Sequence, residues 1–283
     1  MSLKILKPGF FSSLQDFGRT KAMTSGVPIS GVMDRNLASL ANSVLGNSEN
    51  SAVIEFFQQG LELEFNHPTV VAVSAIEAEV FLNGNSKNIL EPIHIKPKDV
   101  LKIQRLNSGV WAYVSVKNAF KSESVFGSQS FYKPLTKANF SKNDILDYED
   151  FEDEFQQNSS VENELDYNSQ TLDVFPGAEF HKLSKTLKYQ LKNAEFSLSK
   201  TNNRMAYQIQ EKLENELDEI VTEPVLPGTI QFTPEGKLIV LMRDAQVTGG
   251  YPRILQLTEN AINILSQKSA KHKIRFRLIE NNS

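Results

Sequence analysis

Two glycine-rich loops gather the residues of this chain best suited to chemistry. The denser is Asp244-Ala245-Gln246-Val247-Thr248-Gly249-Gly250-Tyr251-Pro252-Arg253. An acid, a hydroxyl, two glycines and an arginine converge there, directly after a buried strand pattern. Gly249 and Gly250 would let the backbone approach a ligand closely, and Arg253 would grip a carboxylate or phosphate bidentately. The alternative is a strand-to-strand turn in which Arg253 pairs with Asp244. The other loop is Gln15-Asp16-Phe17-Gly18-Arg19, followed by Gly26-Val27-Pro28-Ile29-Ser30-Gly31-Val32-Met33-Asp34. Asp16, Arg19, Ser30 and Asp34 bring charge and hydrogen bonds beside a helix N-terminus, whose exposed amides favour an anion. Here too a structural alternative stands: Asp34 as the helix cap, and Asp16 ion-paired with Arg19.

Other chemistries have little support. No glycine-rich loop ends in Gly-Lys-Ser or Gly-Lys-Thr, and neither a dinucleotide fingerprint nor His-Glu-x-x-His occurs. The four histidines, His67, His94, His181 and His272, are scattered, so no metal site is expected. Ser130-Phe131-Tyr132-Lys133 fits Ser-x-x-Lys but lacks the companion motifs, and reads as chance. The absence of cysteine excludes disulfides, thiolate zinc sites and a Cys nucleophile, and fits a reducing compartment. A net charge of -4 argues against nucleic acid as a partner. The first residues show no apolar signal-peptide core, and no apolar run approaches the roughly 18 residues that span a bilayer. A cytoplasmic protein without a membrane partner is therefore expected.

The elements that must position these loops read mostly as strands. Leu61 to Phe65 alternates, Thr69 to Val73 is β-branched, and Val80-Phe81-Leu82 leads into Asn83-Gly84, a tight-hairpin dipeptide. Trp111 to Val116 reads as a buried strand. Leu37, Leu40, Ala41, Val44 and Leu45 recur at helical spacing, with Asp34 to cap the helix and Gly46 to end it. Downstream, Thr229 to Phe232 and Leu238 to Leu241 flank a Pro234-Glu235-Gly236 turn. Thr258 is placed to cap a helix carrying Ala261, Ile262 and Leu265, and Ile274, Phe276 and Leu278 alternate as a closing strand. Each half thus offers several strands and one short helix, which suggests two β-barrel-like lobes.

A composition shift separates the halves. Nine acids lie between Asp147 and Asn168, and no Lys or Arg occurs between Lys142 and Lys182. Without those nine the chain would carry +5 instead of -4. The reading is an N-terminal lobe at 1–146, a solvated acidic linker at 147–170 and a C-terminal lobe at 171–283, with a docking tail for a basic partner as the alternative.

Several stretches carry a resemblance. Gln15-Asp16-Phe17-Gly18-Arg19, the Gly26-to-Asp34 loop, Ala41-Asn42-Ser43-Val44-Leu45-Gly46-Asn47 and Glu55 are similar to the N-terminal signature of the allophanate hydrolase subunit 2 family. Gly127-Ser128, Asn203-Arg204-Met205, Glu223-Pro224-Val225-Leu226-Pro227-Gly228, Gln231 and Thr248-Gly249-Gly250-Tyr251-Pro252-Arg253 continue it in order across nearly the whole chain. The family includes the C-subunit of 5-oxoprolinase, antagonists of a sporulation-kinase inhibitor, and the carboxyltransferase part of urea carboxylase. The resemblance implies a mainly β fold with short helices, built as two cyclophilin-like β-barrel lobes.

It also implies a function: opening 5-oxoproline to glutamate within an ATP-dependent complex. The partners would be a B-subunit homologue, similar to allophanate hydrolase subunit 1, and an A-subunit homologue. ATP, with Mg, would then belong to the complex. On this reading the substrate-binding or anion-binding residues are Asp16, Arg19, Ser30, Gly31, Arg204, Gln231, Thr248, Gly249, Gly250, Tyr251 and Arg253. Asp34, Glu223 and Asp244 are the candidate catalytic acids, positioning a proton donor or a metal-bound nucleotide. One alternative is carboxyl transfer from carboxybiotin to a urea-like amide; no Met-Lys-Met segment is present, so biotin would not be attached to this chain. Another is a non-catalytic regulator that binds the B-subunit homologue. The chain departs from the family at Lys117-Asn118, where Gly-Gly is usual, at Gln129 in place of Arg, and at Ala206 in place of Gly.

Overall fold

The computed structural model describes residues 1–133, 135–136, 139–151, 153–155 and 160–280. The chain divides into two compact units, each mainly β. Unit 1 comprises Met1–Arg19 and Asp34–Glu164, and unit 2 comprises Thr20–Met33 and Leu165–Ser283.

In unit 1 a seven-stranded sheet runs in the spatial order Phe120–Lys121, Ile145–Tyr148, Ser2–Lys7, Leu61–Phe65, Val100–Ile103, Val80–Leu82, Asn85–Lys87. A five-stranded sheet runs Ser12–Gln15, Val53–Phe57, Trp111–Val116, Thr69–Ser74, Ile93–Ile95. One apolar core takes the inward side chains of both, among them Leu3, Ile5, Leu63, Phe65 and Leu101 from the first and Ile54, Phe56, Val73 and Val114 from the second. Leu61–Phe65 alternates buried and half-buried residues, as a strand with one solvated face does. Every residue of Thr69–Ser74 and Trp111–Val116 is buried, because helix α1 (Arg35–Val44) packs on the other face of their sheet. The Asn83-Gly84 hairpin forms as read, both residues at positive φ, with Leu82 opposite Asn85.

Unit 2 is a seven-stranded sheet in the order Phe196–Ser197, Lys273–Leu278, Thr171–Pro176, Arg253–Leu257, Thr229–Phe232, Lys237–Leu241, Ala206–Lys212. A bridge between Leu198 and Ile209 joins the regions of its two edge strands, so the sheet nearly closes into a barrel. Closure removes the open edges that would otherwise pair with other chains. Helix α2 (Lys185–Asn193) packs on the Lys273–Leu278 strand, and α3 (Glu259–Ser266) on Thr171–Pro176. The Thr258 hydroxyl accepts from the Ala261 amide, which is the expected cap. Among its described residues the second half therefore holds two α-helices where the pattern showed one. Only Leu187 and Leu191 of α2 are buried, too few to stand out as a periodic stripe.

The expected boundaries need two corrections. Thr20–Met33, assigned to the N-terminal lobe, belongs to unit 2, where the Ser30 amide donates to the Arg243 carbonyl at 2.9 Å. Nor is the acidic stretch simply solvated. Asp147 and Tyr148 lie in a strand, and Phe151, Phe155 and Val161 pack against Val44, Leu45, Val70 and Ala72. These apolar residues are spaced among the acids, so the segment lays them inward and leaves Glu149, Asp150, Asp153, Glu154, Glu162 and Glu164 exposed. Residues 152 and 156–159 of that expected linker lie outside the described residues.

Candidate functional site

In unit 1 the loop acids hold backbone. The Asp16 carboxylate accepts from the Gly18 and Gln129 amides at 2.8 and 2.7 Å and from the Ser128 and Ser130 hydroxyls at 2.6 Å each. Arg19 donates to the Val125 and Ser130 carbonyls. Both residues thus grip the turn around Gly127, and Asp16 faces its serines and amides. Asp34 is fully buried; its Oδ1 accepts from the Leu37 amide at 3.1 Å, capping α1. Its own amide donates to the Tyr113 hydroxyl at 2.8 Å, and that hydroxyl donates to Glu55 Oε2 at 3.0 Å. Burial, reinforced by the charges of Glu55 and Asp34, pushes the Tyr113 phenol well above its ordinary range, so it stays protonated as a donor.

Unit 2 collects the remaining candidates into two clusters. In the first, Arg204 holds Asp244 with Nε at 2.8 Å and Nη2 at 3.0 Å, and donates to the Gly31 carbonyl at 2.6 Å. The Ser30 hydroxyl donates to Asp244 Oδ1 at 2.7 Å. Ser30 and Gly31 both take positive φ, at 57° and 94°, a conformation costly for serine that these contacts hold in place. The grouping therefore joins the Ser30-Gly31 turn to Arg204-Met205 and Asp244 within one unit.

In the second cluster Arg253 pairs with Glu179, not with Asp244. Glu179 accepts from Arg253 Nε at 3.0 Å and from Nη2 at 2.9 Å. Pairing holds the Glu179 carboxyl below its ordinary value, with the Arg253 hydrogen bonds as the largest cause, and raises that of Arg253. Close by, Glu223–Pro224 forms a two-residue strand against Thr248–Gly249, with Glu223 opposite Gly249 and exposed. Gln231 is 2% exposed, and a Cβ on Gly249 would stand 2.4 Å from its Nε2. A side chain on Gly249 would therefore require the end of the Gln231 side chain to shift. Gly250 has only ordinary contact at its Cβ position, 3.5 Å from the Ile220 carbonyl. Thr248 is exposed and Tyr251 half-buried. Among the described residues no group of three acids or histidines is placed to hold a metal ion, and no helix is long and apolar enough to cross a membrane.

A family model, the carboxyltransferase domain, subdomain A and B, matches residues 25–278. This chain belongs to that family. Among characterised relatives of this carboxyltransferase-family chain, the C-subunit of 5-oxoprolinase from Escherichia coli K12 is 28% identical over 280 residues, covering 97% of this chain and 90% of the relative. The Haemophilus influenzae protein of the same name is 23% identical, covering 95% and 88%. Urea amidolyase of Saccharomyces cerevisiae is 32% identical, over 46% of this chain and 7% of that protein. The solved Kluyveromyces lactis urea carboxylase shares the fold with a TM-score of 0.86 at 22% identity, covering 99% of this chain and 27% of that one. The chain spans between 19% and 56% of the length of the solved chains compared with it.

The family signatures acquire physical reasons in the structure. Asn42, fully buried, accepts from the Ser115 hydroxyl at 2.6 Å and donates to the Ser51 carbonyl, fastening α1 to the sheet. The departures do too. Lys117 donates to the Leu45 carbonyl at the end of α1, at 2.8 Å, and lies over the rings of Phe151 and Phe155. Asn118 takes φ 64°, which asparagine tolerates, and donates to the Asp150 carbonyl. Lys117, Asn118 and the acidic segment thus form one feature. Glu179 escaped the sequence reading altogether. A Pro176-Gly177 turn directly precedes it, but nothing in the chain shows which cation it meets 74 residues away.

Proposed function

We propose that this chain is the C-subunit of an ATP-dependent 5-oxoprolinase, opening 5-oxoproline to glutamate in the cytoplasm together with B-subunit and A-subunit homologues. The observation that carries this reading is the nearly end-to-end correspondence with the E. coli protein, 97% of one chain and 90% of the other. The lactam is stable, so its carbonyl oxygen must be activated before water attacks. In this chain Arg253 and the Gly249 and Gly250 amides are the groups suited to hold the substrate. Asp244, gripped by Arg204 and Ser30, orients that side of unit 2; exposed Glu223 is the acid left for proton work. The nucleotide and its Mg would belong to the complex as a whole. Purified chain assayed with ATP, 5-oxoproline and both partner homologues tests this, glutamate being the readout.

The family description favours a second reading, carboxyl transfer from carboxybiotin carried on another protein to a urea-like amide. Turnover of labelled carboxybiotin by the same preparation, without glutamate formation from 5-oxoproline, would select it.

A further inference from the structure

The positive charge of Arg253 is already answered within its own unit. Glu179 accepts from its backbone amide at 2.8 Å, from Nε at 3.0 Å and from Nη2 at 2.9 Å, and Nη1 donates to the Pro224 carbonyl at 3.0 Å. A guanidinium carries five N–H bonds. One on each Nη therefore has no partner among the described residues, and the Arg253 side chain is 20% exposed. The backbone tightens the grip: the Gly177 amide donates to the Ile254 carbonyl and the Glu179 amide to that of Arg253. A Cβ on Gly177 would stand 2.3 Å from the Arg253 carbonyl, so only glycine lets the turn close on the strand. Besides Glu179, the exposed acid Glu223 faces Arg253, and Lys182 faces Glu179. Two cations and two carboxylates leave no net positive charge to draw an anion.

We propose that Glu179 is a positioning residue that sets Arg253 to donate to a neutral carbonyl oxygen, as in an amide or lactam, instead of receiving an anion. The Glu179 pair fixes the guanidinium plane, and the two remaining N–H groups suit the two lone pairs of one carbonyl oxygen. A carboxylate in the same place would meet Glu179 and Glu223 as like charges. The choice of an amide as ligand rests on the 5-oxoproline reading, while the wiring of Arg253 does not.

The test titrates the full chain with 2-pyrrolidinone, a neutral lactam, and with inorganic phosphate, following the Arg253 Nε–H resonance by NMR. The lactam should shift that resonance and bind at least tenfold more tightly than phosphate. Glu179→Gln should weaken the lactam at least tenfold and strengthen phosphate. Glu179→Asp, which keeps the charge but withdraws it, should weaken the lactam without strengthening phosphate, and it serves if the glutamine variant does not fold. A purely structural Glu179 would lower the melting temperature and leave the ratio of the two affinities unchanged. That result, tighter phosphate binding by the wild type, or no lactam binding at all would overturn the proposal. The titration needs no partner and no turnover, so a chain that forms no glutamate can still pass it, and an active one can still fail it.

Discussion

Asp244 and Arg253 stand in one ten-residue motif, yet each pairs with a residue far away in the chain, Arg204 and Glu179. Asp244→Asn should therefore remove the ion pair with Arg204 in a site where the two side chains are 9% and 15% exposed, and lower unfolding free energy by roughly 3–5 kcal/mol in a urea titration. Arg253→Ala should also lower stability, and neutralising Glu179 in the same chain should restore part of the loss; rescue by neutralising Asp244 instead would contradict the pairing. Glu179 gives a pH signature as well. Its folded pKa lies below the ordinary 4.5, so its stabilising contribution is complete above that value and is lost as pH falls through the folded one. Melting temperatures of wild type and Glu179→Gln should differ by a constant amount above pH 4.5 and converge below it. The sequence displayed which residue types crowd these loops. It could not display their partners, because register and closure of the barrel decide which distant side chains meet.

Elements with strong local punctuation were legible: α1 between Asp34 and Gly46, α3 behind Thr258, and the Asn83-Gly84 hairpin all form where propensity and turn chemistry place them. Asp34→Ala should cost about 1–2 kcal/mol, the usual value of a lost helix cap, measured by denaturant unfolding. Helix α2 was missed because its buried face is two leucines wide. The acidic stretch was misjudged for a different reason. Charge counting registers Glu and Asp, whereas Phe151, Phe155 and Val161 decide where the segment lies. Lys117 sits 5.8 and 5.5 Å from the centres of the two phenylalanine rings. Lys117→Ala should accordingly raise amide hydrogen exchange at Phe151 and Phe155 while sparing the Trp111–Val116 strand; unchanged exchange there would show that the aromatic contacts alone hold the segment.

At the scale of the molecule, two mainly β units were expected and two are present, with Thr20–Met33 exchanged from the first to the second. That exchange was invisible because the glycine-rich loop reads as continuous, and only tertiary contacts of Ser30, Gly31 and Met33 with Arg243, Arg204 and Asp244 assign it. The placement of the charged groups bears on function too. Asp16, Arg19, Asp34, Arg204 and Asp244 are engaged in contacts that hold structure. The proposed oxoprolinase reading assigns the rest of the chemistry to partners. The direct measurement is glutamate formation from 5-oxoproline and ATP by the chain alone, and then by the chain with its B-subunit and A-subunit homologues. No glutamate is expected from the chain alone, turnover from the three together, and a stable complex with the B-subunit homologue on size exclusion. Robust glutamate formation by the isolated chain would contradict the need for partners, and a firm complex that turns over no lactam would contradict the oxoprolinase itself.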